Sequence, residues 1–439
     1  MQEGEDKNLT LSYQNKTHEI NINQGETPQD ADAVMLVRKR KSRIYFKRTF
    51  FDYPITLSFD TIKKLGFIHT LKIGVSYIKA SLFPIKNEQN LEEFFINRFG
   101  KVLYQTFFKS YTEKVWGVAC KDISAAWGAQ RIKGLSITKS LVHFLKKSLG
   151  LHKKDLSQKD TETSLIEYFL YPKYGPGQMW ETVGDKIKAK GGEIVMNAEV
   201  IALENETGEI KKVIYKNQDG KEVSLDADYV ISTMPIKDLF SSFTVPAPKP
   251  ITEVSSNLMY RDFITVGVLL NQLETGSLED NWIYVQEPDV MVGRLQIFNN
   301  WSPFMVKNPD QTWIGMEYFC FEGDDLWNKT DKQMKAFAID ELVKMNMIKK
   351  GDALDSVVIK MPKTYPAYFG IFDQFYKVEE YLKEIPNLYP VGRNGMHKYN
   401  NQDHSMLTAM SAVKQIASGS GNKADIWDIN TEQEYHEEK

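Results

Sequence analysis

The segment Leu388–Met410, LYPVGRNGMHKYNNQDHSMLTAM, decides the fold class of this chain of 439 residues. An apolar strand over Leu388–Val391 runs into Gly392 and Arg393, and a polar loop follows. The helix after the loop is indicated by apolar residues at helical spacing, namely Met406, Met410, Val413 and Ile416. Exposed amides at the helix N-terminus favour an anion, Gly392 permits close backbone approach, and Arg393 offers a guanidinium fork. The segment predicts a diphosphate site; a glycine turn with a surface arginine is the alternative.

Length and composition exclude several classes of protein. The chain is longer than one hydrophobic core usually supports, which predicts two interleaved domains. Its net charge is −3, and the Lys and Arg residues are spread out, so we expect no nucleic-acid partner. Cys120 and Cys320 are far apart and lack histidines at metal-ligand spacing, which argues against a disulfide framework and a metal site. A reducing, cytoplasmic location fits this cysteine usage.

The N-terminus lacks the apolar core of a signal peptide, and no uncharged run is long enough to span a bilayer. The most apolar stretch is Leu65–Pro84, which His69, Lys72 and Lys79 interrupt. An amphipathic helix packed on its own domain is the favoured interpretation of this stretch, and anchoring at a membrane interface is the alternative.

The predicted fold class is α/β (α+β), with a mixed sheet and helices in one domain and a nucleotide-binding arrangement in the other. The predicted domain layout is a polar arm (1–33), a first domain built from residues 34–165 and 246–372, a second domain built from residues 166–245 and 373–420, and a polar tail (421–439). The arm lacks sustained periodicity and is expected to be a loose loop.

Local patterns predict individual elements. A long helical stretch is expected from Ile62 to Leu82, and a second helix opens at Asn90, with Glu93 placed for a capping box. A four-stranded meander is expected over residues 193–233, with its clearest hairpin turn at Asp219 and Gly220. Alternating segments then predict the strands of a mixed sheet, namely Phe263–Leu270, Trp282–Val285, Arg294–Phe298 and Trp313–Phe319.

Several segments resemble UDP-galactopyranose mutases and the wider amine-oxidase and protoporphyrinogen-oxidase superfamily. Leu388–Met410 is similar to the C-terminal flavin-contacting segment of that superfamily. The other similar segments follow in family order: FFKSYTEKVWG (Phe107–Gly117), PKYGPGQMWETV (Pro172–Val183), GGEIVMNAEVIAL (Gly191–Leu203) and DADYVISTMP (Asp226–Pro235). Each motif is weak alone, and their order carries the resemblance.

The resemblance implies a two-domain FAD/NAD(P)-binding fold, an FAD cofactor and a small-molecule substrate. The implied cofactor-binding residues are Val200, Gly392, Arg393, Asn401, Gln402, Asp403, Ser405 and Met406. The implied substrate-binding residues are Tyr111, Trp116, Arg294, Tyr365 and Tyr368, with Arg294 expected to neutralise a diphosphate. Ordinary core packing is the alternative for Val200 and for the tyrosines.

The chain departs from the mutases after Gly392 and Arg393. Where those proteins carry a Tyr-Arg-Tyr run, this chain has His397, Lys398 and Tyr399. His397 and Tyr399 are the candidate catalytic residues, since an imidazole near a flavin edge could relay protons. A hydrogen-bonded loop histidine is the alternative. Because Lys398 retains the positive charge, a diphosphate ligand is still expected, whereas UDP-galactose as the substrate is left open.

Family members begin with a strand, a Gly-x-Gly-x-x-Gly turn and a helix that bind the pyrophosphate. This sequence has no such element; its close glycine pairs are Gly175 with Gly177, Gly191 with Gly192, and Gly419 with Gly421. The Rossmann-like domain is therefore predicted to be incomplete. The chain by itself is expected to be colourless and poorly soluble, because sheet edges and apolar helix faces would be exposed.

Three functions remain open from the sequence. In one, reduced flavin attacks the anomeric carbon of a nucleotide sugar such as a UDP-sugar, and the sugar ring is isomerised without net oxidation. In the second, oxidised flavin accepts a hydride, as in protoporphyrinogen or amine oxidases. The third is a non-catalytic remnant or partner-binding subunit. The motif at Tyr111–Gly117 and Arg294 favours the first, and the His397–Lys398 pair weakens it.

Overall fold

A computed structural model describes residues 8–13, 16–21, 27–53, 55, 58–125, 128, 168–206, 208–271 and 273–429. Within these ranges no helix is long and apolar enough to cross a membrane. The same residues contain no group of three or more His, Cys, Asp or Glu side chains that could hold a metal ion.

The strands, in chain order, are β1 (Asn8–Tyr13), β2 (Lys16–Asn21), β3 (Met35–Lys39), β4 (Ser42–Phe46), β5 (Thr49–Asp52), β6 (Tyr168–Pro172), β7 (Glu199–Glu206), β8 (Glu209–Lys216), β9 (Glu222–Asp226), β10 (Val230–Ser232), β11 (Tyr260–Leu270), β12 (Trp282–Val285), β13 (Arg294–Ile297), β14 (Thr312–Cys320), β15 (Ala353–Pro366) and β16 (Leu388–Pro390).

The helices are α1 (Phe59–Leu65), α2 (Phe67–Leu82), α3 (Leu91–Phe99), α4 (Lys101–Leu103), α5 (Lys109–Trp116), α6 (Pro176–Ala189), α7 (Ile236–Ser241), α8 (Lys249–Ser256), α9 (Phe298–Trp301), α10 (Asp331–Lys344), α11 (Tyr376–Glu384), α12 (Gly392–Gly395), α13 (Gln402–Ser418) and α14 (Ala424–Trp427). A π-helical turn, Tyr104–Phe108, joins α4 to α5.

The described residues form two compact units that alternate along the chain. Unit 1 contains the residues up to Lys186 together with Phe263–Met361, and unit 2 contains Ile187–Asp262 together with the residues from Pro362 onward. The chain passes between the units within α6, β11 and β15. The second unit therefore starts at 187, where the sequence analysis placed the boundary at 166.

Unit 1 is built on a seven-stranded sheet in the order β15-β11-β14-β13-β12-β4-β5. β12 pairs in parallel with β4 and antiparallel with β13, so the sheet is mixed, as predicted. One face carries the core, because alternate residues of β12–β14 point to it and are buried, and α10 packs on them. Its members include Ile283, Val285, Leu295, Ile297, Met316, Met334, Ala338 and Leu342. The other face carries polar and aromatic side chains.

The helical part of unit 1 is held by aromatic packing. Phe95 stacks on Tyr104, and Phe99 stacks on Phe108 with ring centroids 4.6 Å apart. Phe107 contacts Phe51 edge to face, which ties the π-helical turn to β5. This packing fixes the start of α5, the helix that carries Tyr111 and Trp116.

Unit 2 contains the antiparallel meander β7-β8-β9 and the parallel pair β10–β16. Helices α7, α8, α11, α13 and α14 supply its apolar core, which includes Ile236, Leu239, Val254, Val378, Leu382, Leu388 and Ala412. Asn387 joins the two sheets: its side chain bonds both the N–H (2.9 Å) and the C=O (2.7 Å) of Ile210 in β8. Asn387 precedes β16, so the meander is tied to the strand that leads into Gly392.

The structure corrects three local predictions. The long helix breaks into α1 and α2 at Gly66, whose φ of +85° only glycine adopts readily. The polar N-terminal arm is not wholly a loop, because β1 and β2 form an antiparallel hairpin. The last strand of the expected meander, β10, pairs with β16 instead, a partner too distant along the chain for local patterns to indicate.

Gly100 allows α2 to lie against α4. Its φ is +76°, and a Cβ at this position would lie 2.7 Å from the backbone nitrogen of Tyr77. We expect Gly100→Ala to lower the free energy of unfolding by about 1–3 kcal/mol, because backbone must move. Chemical denaturation followed by circular dichroism measures the change.

Gly74→Ala is the matched control, since Gly74 lies inside α2 with nothing within 4 Å of its Cβ position. We expect it to be neutral or to stabilise by up to about 1 kcal/mol, because alanine is the better helix former. Equal effects of the two substitutions would contradict the close-approach argument.

Candidate functional site

The predicted strand, glycine and helix are present in unit 2. β16 ends at Pro390, and Gly392 begins α12 with a φ of +76°, its N–H donating to Thr408 Oγ1 over 3.0 Å. α13 begins at Gln402, and the side chain of its N-cap residue, Asn401, makes no capping hydrogen bond. The first-turn amides of α13 therefore receive no cap from Asn401, and the helix N-terminus can interact with an anion.

Arg393 is bound to main-chain carbonyls. Its Nε and Nη2 both donate to Asn400 O, at 3.1 and 2.5 Å, and Nη1 donates to Thr364 O at 3.3 Å. The guanidinium lies 5.2 Å from the ring centroid of Tyr365 and 5.1 Å from that of Tyr399. Neutral carbonyls and aromatic faces orient this cation without cancelling its charge.

The structure brings together three of the predicted tyrosines. The rings of Tyr365 and Tyr399 stack with centroids 5.2 Å apart and an interplanar angle of 26°. The N–H of Tyr399 donates to Tyr368 Oη over 2.5 Å. All three side chains are partly exposed. Tyr365, Tyr368, Tyr399 and Arg393 thus form one cluster, although they come from two separate segments of sequence.

His397 has the environment of the alternative interpretation, a hydrogen-bonded structural histidine. It is fully buried, and its Nε2 lies 3.2 Å from Ala367 O. Aromatic rings surround it, with Tyr260 in an edge contact and Phe372 and Phe375 within 6 Å. Burial lowers the pKa of His397 from 6.5 to about 4, so the ring is neutral at physiological pH.

The other predicted cofactor residues lie on two elements of unit 2. Gln402 and Met406 are exposed in the first turns of α13, and Asp403 contacts the buried His404 at Nδ1, 3.1 Å away. Ser405 Oγ donates to Asn400 Oδ1 over 3.2 Å. Val200 lies on β7, half-buried opposite Tyr215. The α13 residues adjoin the segment 393–401, here called the Arg393 loop, while Val200 lies on a separate sheet.

Asn394 is a candidate that the sequence analysis missed. Its amide nitrogen donates to Lys363 O over 2.9 Å, whereas its buried Oδ1 has no hydrogen-bond partner among the described residues. A buried acceptor left without a donor is costly and is often completed by a ligand or water. The position of Asn394 directly after Gly392 and Arg393 is the sequence signal that could have identified it.

Arg294 lies on the open face of the unit 1 sheet. It is directly opposite Glu317 of β14, and its Nε donates to Glu317 Oε2. Gln296 donates to the other carboxylate oxygen over 2.7 Å. Glu317 and Gln296 were not identified from sequence, although one acidic residue inside the apolar strand WIGMEYFC signals a polar face. Arg294 is thus already paired with a carboxylate.

Tyr111 joins an aromatic cluster beside Arg294. Its ring contacts that of Tyr284 edge to face with centroids 5.6 Å apart, and the ring centroids of Tyr53 and Tyr284 are 4.7 Å apart. Tyr284 is the direct cross-strand neighbour of Arg294. Arg40 lies 4.9 Å from the Trp282 ring, and its burial lowers its pKa. This face therefore combines aromatic rings with two arginines.

Lys114 and Trp116, in the same motif as Tyr111, are buried supports. The ammonium of Lys114 donates to the carbonyls of Val285, Glu287 and Val292 at 3.0–3.2 Å, and desolvation lowers its pKa to about 8. Trp116, a predicted substrate contact, is only 4% exposed at the end of α5. The motif fixes α5 against the sheet, which positions Tyr111.

The fold defined by these elements is a two-unit α/β fold, in which one unit carries a mixed sheet and the other a strand, a glycine turn and a helix in succession. No protein-family model matches the chain, and no curated protein sequence matches it.

Solved structures that share this fold include a mutase and a putative oxidase. A crystal structure of reduced UDP-galactopyranose mutase is similar with a TM-score of 0.73 and 18% identity, over 90% of this chain and 80% of the mutase chain. A putative protoporphyrinogen oxidase from Exiguobacterium sp. 255-15 is similar with a TM-score of 0.55 and 16% identity, over 82% of this chain and 76% of that chain. The chain has the fold of these proteins, and the resemblance inferred from sequence is confirmed at that level.

We expect the pH dependence of stability to report on His397. The unfolded chain takes up a proton near the ordinary pKa of 6.5, whereas the folded protein does so only near pH 4. The contribution of the neutral ring is complete above pH 6.5 and is lost as the pH falls to about 4, by about 3 kcal/mol. His397→Asn, a residue that tolerates the φ of +48°, should flatten this slope. Denaturation at several pH values between 4 and 7 measures it, and an unchanged slope would contradict the assignment.

Proposed function

We propose that this chain is an FAD-dependent enzyme of mutase-like architecture that acts on a nucleoside-diphosphate sugar or a related small molecule. The observation that supports it is the convergence of Gly392, Arg393 and the N-terminus of α13 at the end of β16. In open α/β sheets, ligands bind beyond the carboxyl ends of parallel strands, which is where these groups lie. The similar fold of UDP-galactopyranose mutase adds support.

The residues of this segment fit such a cofactor. Gly392 has a positive φ and no Cβ, so backbone can approach a ligand closely. The amides of the first α13 turn and the Arg393 guanidinium provide positive potential, and Asn394 Oδ1 provides a buried acceptor. We propose that Gly392, Arg393, Asn401–Met406 and, on the meander, Val200 hold the cofactor. When bound, FAD would supply the redox-active ring.

The substrate role proposed for Arg294 depends on its partner. A guanidinium has five N–H donors, more than one carboxylate accepts, so Arg294 can contact a second anion while Glu317 orients it. Tyr111 and Tyr284 offer aromatic surface at its side. This combination suits a nucleotide, whose base stacks and whose diphosphate requires fixed positive charge.

The second candidate is an FAD-dependent oxidoreductase of the protoporphyrinogen-oxidase or amine-oxidase type. The Arg294–Glu317 pair favours it, because a cation already neutralised by a carboxylate attracts a diphosphate less than an unpaired arginine would. His397 adds to this argument, since it is enclosed in aromatic side chains where the mutases carry a phenol. The Arg294 substitution distinguishes the two functions.

We expect Arg393→Ala to weaken FAD binding by tenfold or more, because loss of a charge-assisted contact costs about 1.5–3 kcal/mol. Titration of the full chain with FAD, followed by quenching of flavin fluorescence, measures the dissociation constant. Arg38→Ala is a matched control, since Arg38 also binds one carbonyl, Asn300 O, through Nε and Nη2 but lies in unit 1. Equal FAD affinity in wild type and Arg393→Ala would contradict the cofactor role. Wild type is expected to bind added FAD only weakly, because the sequence has no Gly-x-Gly-x-x-Gly turn, so the titration extends to high FAD concentration. No saturable binding there would contradict the FAD proposal.

We expect Arg294→Ala to weaken UDP binding about tenfold or more with little change in FAD affinity. Glu317→Gln should strengthen UDP binding, because it removes the competing negative charge. Calorimetric titration with UDP measures both. Arg43→Ala, which breaks the Arg43–Asp280 pair of β4 in the same unit, controls for loss of an ion pair elsewhere on the sheet. If wild type with FAD present shows no UDP binding, the oxidoreductase becomes the favoured function.

A further inference from the structure

Helix α2 presents an apolar face to solvent. The α2 apolar face consists of Phe67, Ile68, Leu71, Val75, Ile78 and Leu82, all of which are exposed. Phe67 is 75% exposed and Leu82 is 68% exposed. At 3.6 residues per turn these side chains fall within an arc of about 100°. A continuous stripe of large apolar side chains in water is unusual and indicates a binding surface.

The opposite side of α2 is the one packed on unit 1. Ile73 and Ala80 are buried there, and Ser76 Oγ accepts a hydrogen bond from the N–H of Val102 over 3.1 Å. His69 Nε2 lies 3.1 Å from Thr106 Oγ1, and Gly100 contacts the α2 backbone. The helix is therefore anchored through Ile73 and through polar and small residues, and its most apolar side faces outward. The sequence predicted that the apolar side of this helix packs on its own domain, and that prediction is wrong for these residues.

The charged side chains of the segment that contains α2 have one sign. From position 61 to position 87 the sequence contains lysines and one histidine but no aspartate or glutamate. Lys72 and Lys79 are exposed, and helical spacing places both at one edge of the apolar arc. Lysine stems can lie along an apolar surface while their ammonium groups reach toward anions. Phenylalanines are exposed at both ends of the helix, at Phe67 and at Phe83.

We propose that the α2 apolar face docks on an anionic lipid surface, with α2 lying in the plane of the interface. Apolar side chains enter the boundary between headgroups and acyl chains, while Lys72 and Lys79 contact lipid phosphates. The helix is too short and too charged to span a bilayer, so this is attachment to one leaflet only.

Charge favours lipid over a second copy of the chain. Ile68, Leu71, Val75, Ile78 and Leu82 follow the alternating three- and four-residue spacing of a coiled-coil seam, which would also fit helix pairing. Two copies paired through this helix would juxtapose lysines with few carboxylates to neutralise them, whereas anionic headgroups supply the missing charge.

Vesicle co-sedimentation of the full chain tests the proposal. The lipids are phosphatidylcholine alone and phosphatidylcholine with about one third phosphatidylglycerol, at low and high salt. We expect binding to the anionic vesicles, weakened by salt because the charged contacts are screened. Leu71→Gln with Val75→Gln should abolish it, and Lys72→Glu with Lys79→Glu should reduce it about tenfold or more. Leu225→Gln with Val245→Gln, and Lys216→Glu with Lys221→Glu, are controls at exposed sites of unit 2 and should bind as wild type.

Failure of wild type to bind anionic vesicles overturns the proposal, as does unchanged binding by the Leu71 and Val75 double variant. Light scattering examines self-association in parallel. If wild type is a dimer that the same double variant converts to monomer, and no vesicle binding occurs, the face joins two copies of the chain and the lipid proposal is wrong. Circular dichroism confirms that each variant is folded.

Discussion

The parallel pairing of β10 with β16 is the constraint on which the candidate cofactor site depends. Ser232, the last residue of β10, accepts a hydrogen bond from the N–H of Val391 over 2.9 Å, just beyond β16. A Cβ at Gly395 would lie only 2.5 Å from Ser232 O, so α12 can turn back over the strand ends only with glycine there. Once this register is set, Gly392, Arg393 and the start of α13 must lie at the carboxyl edge of the pair.

Sequence patterns predicted individual strands and turns, and they missed the pairing of segments that are distant along the chain. The strand at Trp282–Val285 and the glycine at 392 follow from alternation and from turn chemistry, and both are where they were predicted. β10 looked like a continuation of the meander, because a buried apolar strand has the same local pattern whichever neighbour it takes. Likewise, nothing near Arg294 in sequence indicates Glu317, since the pair arises from the register of β13 on β14.

The same limit applies to the loop histidine. A histidine beside predicted flavin contacts is a reasonable proton relay from sequence, but Tyr260 and Phe375, which enclose it, come from other segments. Burial is a property of the assembled unit, so the lowered pKa of His397 could not be inferred from its neighbours in the chain.

Among the described residues, some cations bind main-chain carbonyls and others face carboxylates, with different consequences. Arg393, Lys114 and Lys423 bind main-chain carbonyls, and Lys423 donates to Leu388 O at the start of β16 over 2.8 Å. Carbonyl dipoles compensate for part of the lost hydration, yet the positive charge remains, and burial lowers the pKa of both lysines to about 8. Arg294 and Arg43 instead face carboxylates, which cancel their net charge.

The proposed cofactor site and the proposed substrate site therefore use different kinds of cation. In the Arg393 loop of unit 2, Lys398 donates to the carbonyl of Trp427, Arg393 donates to the carbonyls of Asn400 and Thr364, and the neutral His397 adds no charge. That loop favours an anionic group under either of the two proposed functions. Arg294 contributes net charge only to the extent that a ligand competes with Glu317 for it. The choice between a nucleotide sugar and an apolar or amine-bearing substrate therefore depends on the ion pair in unit 1, while the case for a diphosphate cofactor depends on unit 2.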